Sequence, residues 1–565
     1  MFKLCRKIIA VTIGLFVLNP LTVKAAEKIT IAYNILEFSV PVASLERFAS
    51  EGQIDADLKE YTKYLKQPQI DQLKQVLTQK VALSPVDVSR LSYSSFGESA
   101  LLFIGSIIQT GPQQNGLYGI RSALILAANS EGFTIIDVIK KFPTPVLRVN
   151  SVDLIEVMER FNQLEKLNNR ALDLVTEQSV IEQSVIEQSV IKQSQQKTNR
   201  KLLNSVASSK PQKWSKESFS LLDPQRQRRI AVDLYQPDRQ QPTPLLVISP
   251  GLASNLSESI FIELAEHLVS QGFTIAVIEH PKSNTQQLEN LLQGLAREVM
   301  EPSEFIDRPR DVSYLLDELT RRNHSGQWRD RINLQRVGVI GHSFGGYTAL
   351  ALVGAQINFA NLRQICTPQQ RFELATANIS LMLQCEALKL PEKPYQLLDQ
   401  RIQAAFIFNP IGSAVFGESG LQHVKTPVFM VSGSKDELAS PLLEQVCPFT
   451  WLSHSPKYLA MIQGGAHDYA TPQSPQNRLF TLLGSTPIDS THARAYLKSL
   501  SLSFFNRYIQ PQPSNQRLLK LENTPNLKQS NVALHLIQNL SKTQIKQSLN
   551  MSCPGSMDSP SSVRN

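Results

Sequence analysis

From about residue 214 onward, short apolar runs alternate with amphipathic stretches. Residues 229–235, 244–249, 273–278, 337–340, 402–408, 427–431 and 458–462 are rich in Val, Ile, Leu, Phe and Ala, a pattern that predicts strands, several of them buried on both faces. Between them, apolar residues recur every three or four positions over 258–270, 285–300, 303–320 and 491–505, predicting helices. Strand and helix in alternation predict an α/β domain over 214–510, with a mostly parallel sheet covered by helices on both faces. Residues 26–170 have a different texture. One alternating segment, 28–33, precedes helical repeats around Leu45 and Phe48, Ile70 to Leu77, 100–108 and 118–128. This predicts a separate, mainly α-helical N-terminal module.

Residues 171–213 hold a near-repeat, Val-Thr-Glu-Gln-Ser from Val175 followed by Val-Ile-Glu-Gln-Ser from Val180 and Val185. On a helix a five-residue period turns the apolar pair by about 140° per repeat, so no stripe persists. On a strand the odd period changes faces each time. The expectation is a low-complexity linker, in part helical. The polar, Ser/Pro-rich stretch 511–565 predicts a disordered tail.

At the N-terminus, a basic start (Lys3, Arg6, Lys7), an apolar run over 8–18 and Val23-Lys24-Ala25 compose a signal peptide over 1–25, cleaved or kept as an anchor. Export to the periplasm or the medium is the expectation. Four of the charges behind the formal +8 lie in that segment, leaving +4. The one tight basic cluster, Arg226, Arg228 and Arg229, has no interleaved aromatics; it reads as a solvated loop, and nucleic-acid binding is not expected. Four cysteines remain, Cys366, Cys385, Cys447 and Cys553. In an oxidising compartment an even number suits disulfides; Cys366 and Cys385 lie in one insertion and either pair or stay as buried thiols. No Cys/His spacing implies a metal, and no cofactor is expected.

The chemistry concentrates at Gly341-His342-Ser343-Phe344-Gly345, a G-x-S-x-G pattern after a β-branched run and before a helical one. Strand, tight turn and helix make this a nucleophile elbow with Ser343 as nucleophile. A serine hydroxyl needs a base, and the base needs a carboxylate to orient it. Asp436 follows the strand at 427–431, with Glu437 as its adjacent competitor; His467 follows the strand at 458–462 after Gly464 and Gly465. The catalytic set is therefore Ser343, Asp436 and His467. For the oxyanion hole, one N–H is expected from Phe344 and the second from Leu252 in Ser249-Pro250-Gly251-Leu252, with Ala253 one residue away. Gly251, His280 and His342 are expected to line the substrate pocket.

These residues resemble the platelet-activating-factor acetylhydrolase and dienelactone-hydrolase branch of the α/β-hydrolases, over about 214–508. The elbow, the segment Ser249 to Leu252, and Glu279-His280-Pro281-Lys282 carry the likeness. Pro250 stands where the acetylhydrolases usually have histidine, and Lys282 where they have glycine. The animal acetylhydrolases place their acid after the strand next to the elbow, where this chain has Asn409; the resemblance then puts the acid one strand later, at Asp436. The first unit resembles an uncharacterised module that precedes such hydrolases in cyanobacterial proteins. The insertion 356–400 occupies the place of a lid or cap; its leucines either cover an acyl chain or pack on the core. The resemblance implies an α/β-hydrolase fold and a serine esterase acting on small-molecule or lipid esters, with peripheral membrane contact in the lipid case. A peptidase or acyltransferase on the same triad, and a non-catalytic binding protein, are the alternatives.

Overall fold

The computed structural model describes residues 25–193, 212–468, 491–510 and 532–556, apart from short breaks at 34–35, 64, 326–327, 329, 368–377 and 454–455. The expected signal peptide lies almost wholly outside these residues. Among the described residues no helix is long and apolar enough to cross a membrane. The chain forms two compact units, one up to Glu156 and one from Val157.

The first unit is more than helical. Strands β1 (Lys28–Tyr33), β2 (Leu36–Pro41), β3 (Ile108–Gly111), β4 (Gln114–Asn115) and β5 (Val146–Asn150) form a sheet in the order β2-β1-β5-β3-β4. Only β1 and β5 run parallel. Helices Val42–Glu51, Ser95–Ile107 and Leu117–Ala127 supply Val42, Leu101, Leu117, Ile120 and Ala123 to a core shared with Phe142 and Leu147. Beyond β1 the strands were not read from the sequence; β3 and β4, of four and two residues, are too short to establish a period of two.

A single helix, Ser151–Gln193, carries the chain into the second unit. This corrects the linker expected over 171–213, of which 194–211 lies outside the described residues. Ala171, Leu174 and Val175 are buried in the second unit's core. Ser179 Oγ accepts from the Leu536 amide at 3.3 Å, and the Glu182 carboxylate accepts from the amides of Gln538 and Asn539 at 2.9 Å. The repeat period explains where packing ends: Val175 faces the core, but Val180 and Ile181, in the next repeat, are 61% and 54% exposed.

The second unit is built on β6 (Trp214–Asp223), β7 (Arg228–Pro237), β8 (Thr243–Ser249), β9 (Thr274–Glu279), β10 (Ile332–His342), β11 (Ile402–Phe408), β12 (Val428–Gly433), β13 (Lys457–Ile462) and β14 (Leu534–Ile537). Their order is β14-β13-β12-β11-β10-β8-β9-β7-β6. From β13 across to β9 all neighbours are parallel; β7, β6 and β14 run antiparallel to theirs. Helices Glu304–His324 and Phe344–Leu352 cover one face, burying Phe305, Val312, Leu315 and Leu350; helices Ser259–Ser270 and Thr491–Tyr508 cover the other with Phe261, Leu264, Leu497 and Phe504. β6 escaped the sequence reading because it is an edge strand with most of its residues exposed, so it carries no apolar run.

The tail expectation also needs correction. β14 pairs with β13, helix Lys542–Leu549 buries Ile545 and Leu549, and Cys553 is bonded to Cys447. Few apolar residues suffice here, because Leu536, Ile537, Leu540, Ile545 and Leu549 are all buried. Residues 511–531 and 557–565 lie outside the described chain. The second disulfide joins Cys366 and Cys385. With sequence separations of 19 and 106 between partners, loop-closure entropy assigns the two bonds about 3 and about 5 kcal/mol.

The helix contact is testable by tryptophan fluorescence, since Trp214, Trp328 and Trp451 all belong to the second unit. Val175→Ala is expected to lower that unit's unfolding free energy by about 2 kcal/mol, and Val180→Ala to change it by less than about 0.5 kcal/mol. Equal effects would mean that the helix does not pack as described.

Candidate active site

The end of β10 and the start of helix Phe344–Leu352 meet at Ser343, with φ 53° and ψ −115°. An L-residue rarely adopts this backbone, at a cost on the order of 1–3 kcal/mol. Two glycines make the turn possible. A Cβ on Gly341 would lie 2.1 Å from the Gly345 carbonyl oxygen, and one on Gly345 would lie 1.9 Å from that of Ser249. The helix can thus approach the end of β8 only without side chains there. Ser343 ends 6% exposed, and its amide donates to Phe408 O at 3.1 Å.

Three residues distant in sequence converge there. His467 Nε2 lies 2.9 Å from Ser343 Oγ, and His467 Nδ1 lies 2.8 Å from Asp436 Oδ2. Each follows the carboxyl end of a parallel strand: Ser343 after β10, Asp436 after β12, His467 after β13. The other Asp436 oxygen accepts from the amides of Leu438 (3.0 Å) and Ala439 (2.7 Å), which aims the carboxylate at the imidazole. Glu437, the competitor, is exposed. Burial lowers the basicity of His467, but the charge and hydrogen bond of Asp436 more than offset it, and its pKa stands above the ordinary histidine value. With Nδ1–H donating to Asp436, Nε2 is left to accept from the serine hydroxyl.

Two further side chains hold the histidine loop. Asn409, following β11 and fully buried, donates from Nδ2 to the carbonyls of Ala466 and His467, both at 2.8 Å; its Oδ1 accepts from the Gly433 amide at 2.8 Å. Asn409 thus ties the strand before Asp436 to the histidine loop. His342 Nε2 donates to the same His467 carbonyl at 3.0 Å, while the ring stacks on Phe408 at 4.7 Å. Burial, with the nearby His467, pulls its pKa down to about 3, so it is neutral. The structure places His342 behind the histidine loop, in a supporting position rather than as a pocket wall.

His280 is also displaced from its expected role. It is 2% exposed, with Nε2 at 2.9 Å from Ser249 Oγ and Nδ1 at 3.0 Å from Asp311 Oδ2. Asp311 in turn accepts from Arg228 through Nε (2.9 Å) and Nη2 (2.7 Å), and from Arg226 Nη1 (2.8 Å). The basic cluster read as a solvated loop is therefore in part a buried ion network, with Arg228 also bonded to Glu304 at 2.7 Å. Helix Glu304–His324 carries its acidic partners, Glu304 and Asp311, which together with Arg308 share a face with buried Leu315. That spacing of charges on an apolar face was the sequence signal available. The segment after β8 is fixed at several peptides. Arg308 Nη2 donates to the carbonyls of Pro250 (2.7 Å) and Gly251 (3.1 Å), and the Ala253 amide donates to Ser283 O at 2.7 Å.

The described part of the insertion 356–400 is bound down. Glu444, 2% exposed, accepts from Asn378 Nδ2 (2.6 Å), Ser380 Oγ (3.1 Å) and Gln384 Nε2 (2.7 Å) in the insertion. It also accepts from the amides of Gly412 and Ser413 at 3.0 Å. The Ser380 amide donates to Leu438 O at 2.8 Å, two residues past Asp436. Leu381, Cys385, Ala387 and Leu390 are buried in the core. Of the two readings of its leucines, packing on the core accounts for Leu381; Leu383 and Leu388 are partly buried against it, and Leu374 lies outside the described residues. Among the described residues no cluster of His, Cys, Asp and Glu is arranged to hold a metal ion.

A mostly parallel, helix-covered sheet with a serine on a strained turn after a central strand, and an acid and a histidine after later strands, decides the architecture. The fold is an α/β-hydrolase fold. A family model described as an alpha/beta hydrolase of unknown function (DUF1400) matches residues 25–150, all within the first unit. Among solved structures, the chain is similar to a dienelactone hydrolase from Anabaena variabilis, at 16% identity and a TM-score of 0.31, over 52% of this chain and 99% of that one. No curated protein matches the chain.

Replacing Asn409 with Asp would set a carboxylate against two carbonyl oxygens. Asn409→Asp is expected to cost the second unit about 3–5 kcal/mol of stability, read as a shift in the denaturant midpoint. A variant as stable as the parent would show that the amide does not tie these loops together.

Proposed function

We propose that this chain is an exported serine hydrolase that cleaves carboxylic esters through an acyl-enzyme. The observation that carries the reading is the unbroken chain from Ser343 Oγ through His467 to Asp436, at 2.9 and 2.8 Å. In the first step Ser343 Oγ bonds to the ester carbonyl carbon and its proton passes to His467 Nε2. The imidazolium is stabilised by Asp436. The carbonyl oxygen becomes an oxyanion, held by the N–H groups of Phe344 and Leu252. Phe344 opens a helix, where the first amides have no intrahelical carbonyl to bind. The amide of Ala253, the neighbouring candidate, donates to Ser283 O. Collapse expels the alkoxide, which takes the proton from His467; water, deprotonated by His467, then attacks the acyl-serine and releases the acid.

Two disulfides support export, since such bonds persist mainly in oxidising compartments. The ester rather than peptide reading rests on the dienelactone- and acetylhydrolase-like motifs and is the finer part of the proposal. Acyl length is set by measurement: the insertion's described residues Asn378, Ser380 and Gln384 are tied down by Glu444.

A fluorophosphonate probe is expected to label the purified protein and to leave Ser343→Ala unlabelled; labelling that survives the substitution would remove Ser343 as nucleophile. Hydrolysis of a series of p-nitrophenyl esters then sets acyl preference, and absence of turnover with every ester would leave the peptidase, acyltransferase and binding readings in its place. The raised pKa of His467 fixes the sign of the pH dependence. The base is lost by protonation, so kcat/KM falls as pH drops, with a midpoint above 6.5. Asp436→Asn removes the main influence that raises this pKa; the midpoint moves down and kcat falls by about 10⁴. An unmoved acid limb would exclude Asp436 as the partner.

A further inference from the structure

The second unit contains a second Ser–His–Asp chain. Ser249 Oγ, His280 and Asp311 are linked at 2.9 and 3.0 Å, much as Ser343, His467 and Asp436 are. It has no access to substrate, because Ser249 and Asp311 are 0% exposed. Its charge state differs too. Burial, with the positive charges of Arg308 and Arg228 against a counteracting Asp311, pulls the His280 pKa down to about 3. The ring is neutral, with one N–H. That proton goes to the Asp311 carboxylate, so Nε2 accepts from the Ser249 hydroxyl.

The location of the chain gives it a use. Ser249 ends β8 and opens the segment Ser249-Pro250-Gly251-Leu252-Ala253. Arg308, 1% exposed, grips the next two carbonyls with Nη2. Its guanidinium carbon stands 4.5 Å over the ring of Phe344, while Nε and Nη1 have no partner among the described residues. Burial lowers its pKa only to about 10, so it is a cation at neutral pH. A trans peptide sets N–H and C=O on opposite sides. Holding the Gly251 carbonyl against Arg308 therefore turns the Leu252 N–H away from Arg308. The Ala253 amide and carbonyl are engaged by Ser283 O and Thr285 Oγ1 at 2.7 and 2.8 Å. Ser283 is itself bonded at 2.5 Å to Glu304, the carboxylate that also binds Arg228.

We infer that Ser249, His280, Asp311 and Arg308 are positioning residues: they set the Gly251–Leu252 peptide so that its N–H meets the oxyanion formed at Ser343. The inference rests on the serine-hydrolase reading above. It adds that the oxyanion donor is preorganised by a buried relay ending in an ion network, and that Arg308 joins both donors by gripping the Leu252 segment while covering the Phe344 ring. A donor misplaced by about 1 Å costs about 10²-fold in rate, and the loss falls on the step where charge develops rather than on binding.

The test uses the full chain carrying Ser249→Ala, which deletes one hydroxyl and spares the ion network, and Arg308→Lys, which keeps the charge and loses the planar fork. Each is assayed with a p-nitrophenyl ester and with its thionoester counterpart, whose sulfur is a poor hydrogen-bond acceptor and gains little from oxyanion donors. Expected is a fall in kcat of about 10²-fold with KM within about twofold. The preference for ester over thionoester should shrink in the same proportion. Wild-type kcat in either variant overturns the inference. So does a fall in kcat with the preference unchanged, which is what loosening of the fold alone would produce. Should Arg308→Lys not fold, Ser249→Ala decides. If wild type is labelled at Ser343 and turns over ester while Ser249→Ala behaves normally, only this inference fails. If wild type shows no Ser343-dependent chemistry, the serine-hydrolase reading fails and this one falls with it.

Discussion

The site depends on one steric constraint, the contact between the first turn of helix Phe344–Leu352 and the end of β8. With no side chain on Gly345, the helix lies where a Cβ would be 1.9 Å from the Ser249 carbonyl oxygen. On its other side, a Cβ on Gly346 would be 2.6 Å from Pro410 Cβ. The turn is compressed between two neighbouring strands, which forces Ser343 to φ 53° and lifts it from the strand line. Strain on the order of 1–3 kcal/mol persists only where surrounding structure over-determines it. Here the surroundings are the fully buried centre of a nine-stranded sheet.

Strand ends alone do not fix the loops that must meet this serine, so each loop is held by buried polar groups bonded to backbone. Asn409 and His342 share the His467 carbonyl, Glu444 gathers the insertion and the loop after β11, and Arg308 holds the segment after β8. Such groups are costly to bury unless their hydrogen bonds are made. Once made, they define a single geometry more sharply than apolar contacts, which tolerate sliding. Helix Ser151–Gln193 joins this scaffold: Asn168 Oδ1 accepts from Ser440 Oγ at 3.0 Å and from the Leu442 amide at 3.1 Å, just beyond the acid loop. The second unit thus begins, at Val157, within what the sequence presents as the end of the N-terminal module.

The central strands and the order serine, acid, histidine were legible because both leave local marks: β-branched runs bounded by turns, and polar residues directly after them. The supporting groups leave no such mark. Asn409 reads as a lost acid until its two carbonyl partners are seen, and Arg228 reads as part of a basic surface until Asp311 and Glu304, some 80 residues away, close on it. β6 and β14 were missed because edge strands need few apolar residues, and the packing of 171–182 on the second unit's core because one repeat does not make a period, although a partly helical segment was expected there. Sequence patterns report burial summed along an element. They do not report which long-range partner a single polar side chain will find.

The two Ser–His–Asp chains show how little of a triad's meaning lies in its residue types. Asp311 is held by Arg226 and Arg228, and burial, with the charges of Arg308 and Arg228, keeps His280 neutral to about pH 3. Among the described residues Asp436 meets no arginine: its oxygens accept from two backbone amides and from His467, whose pKa is raised above the ordinary value. One histidine is set to gain a proton, the other never to do so. The serines differ in the same sense, Ser249 closing an extended strand under the sheet edge and Ser343 strained at a helix N-terminus, where the first amides and the helix dipole favour developing negative charge. Charge around the acid and backbone around the serine, rather than the three residue names, separate the chain proposed to react from the one proposed to hold the oxyanion donor.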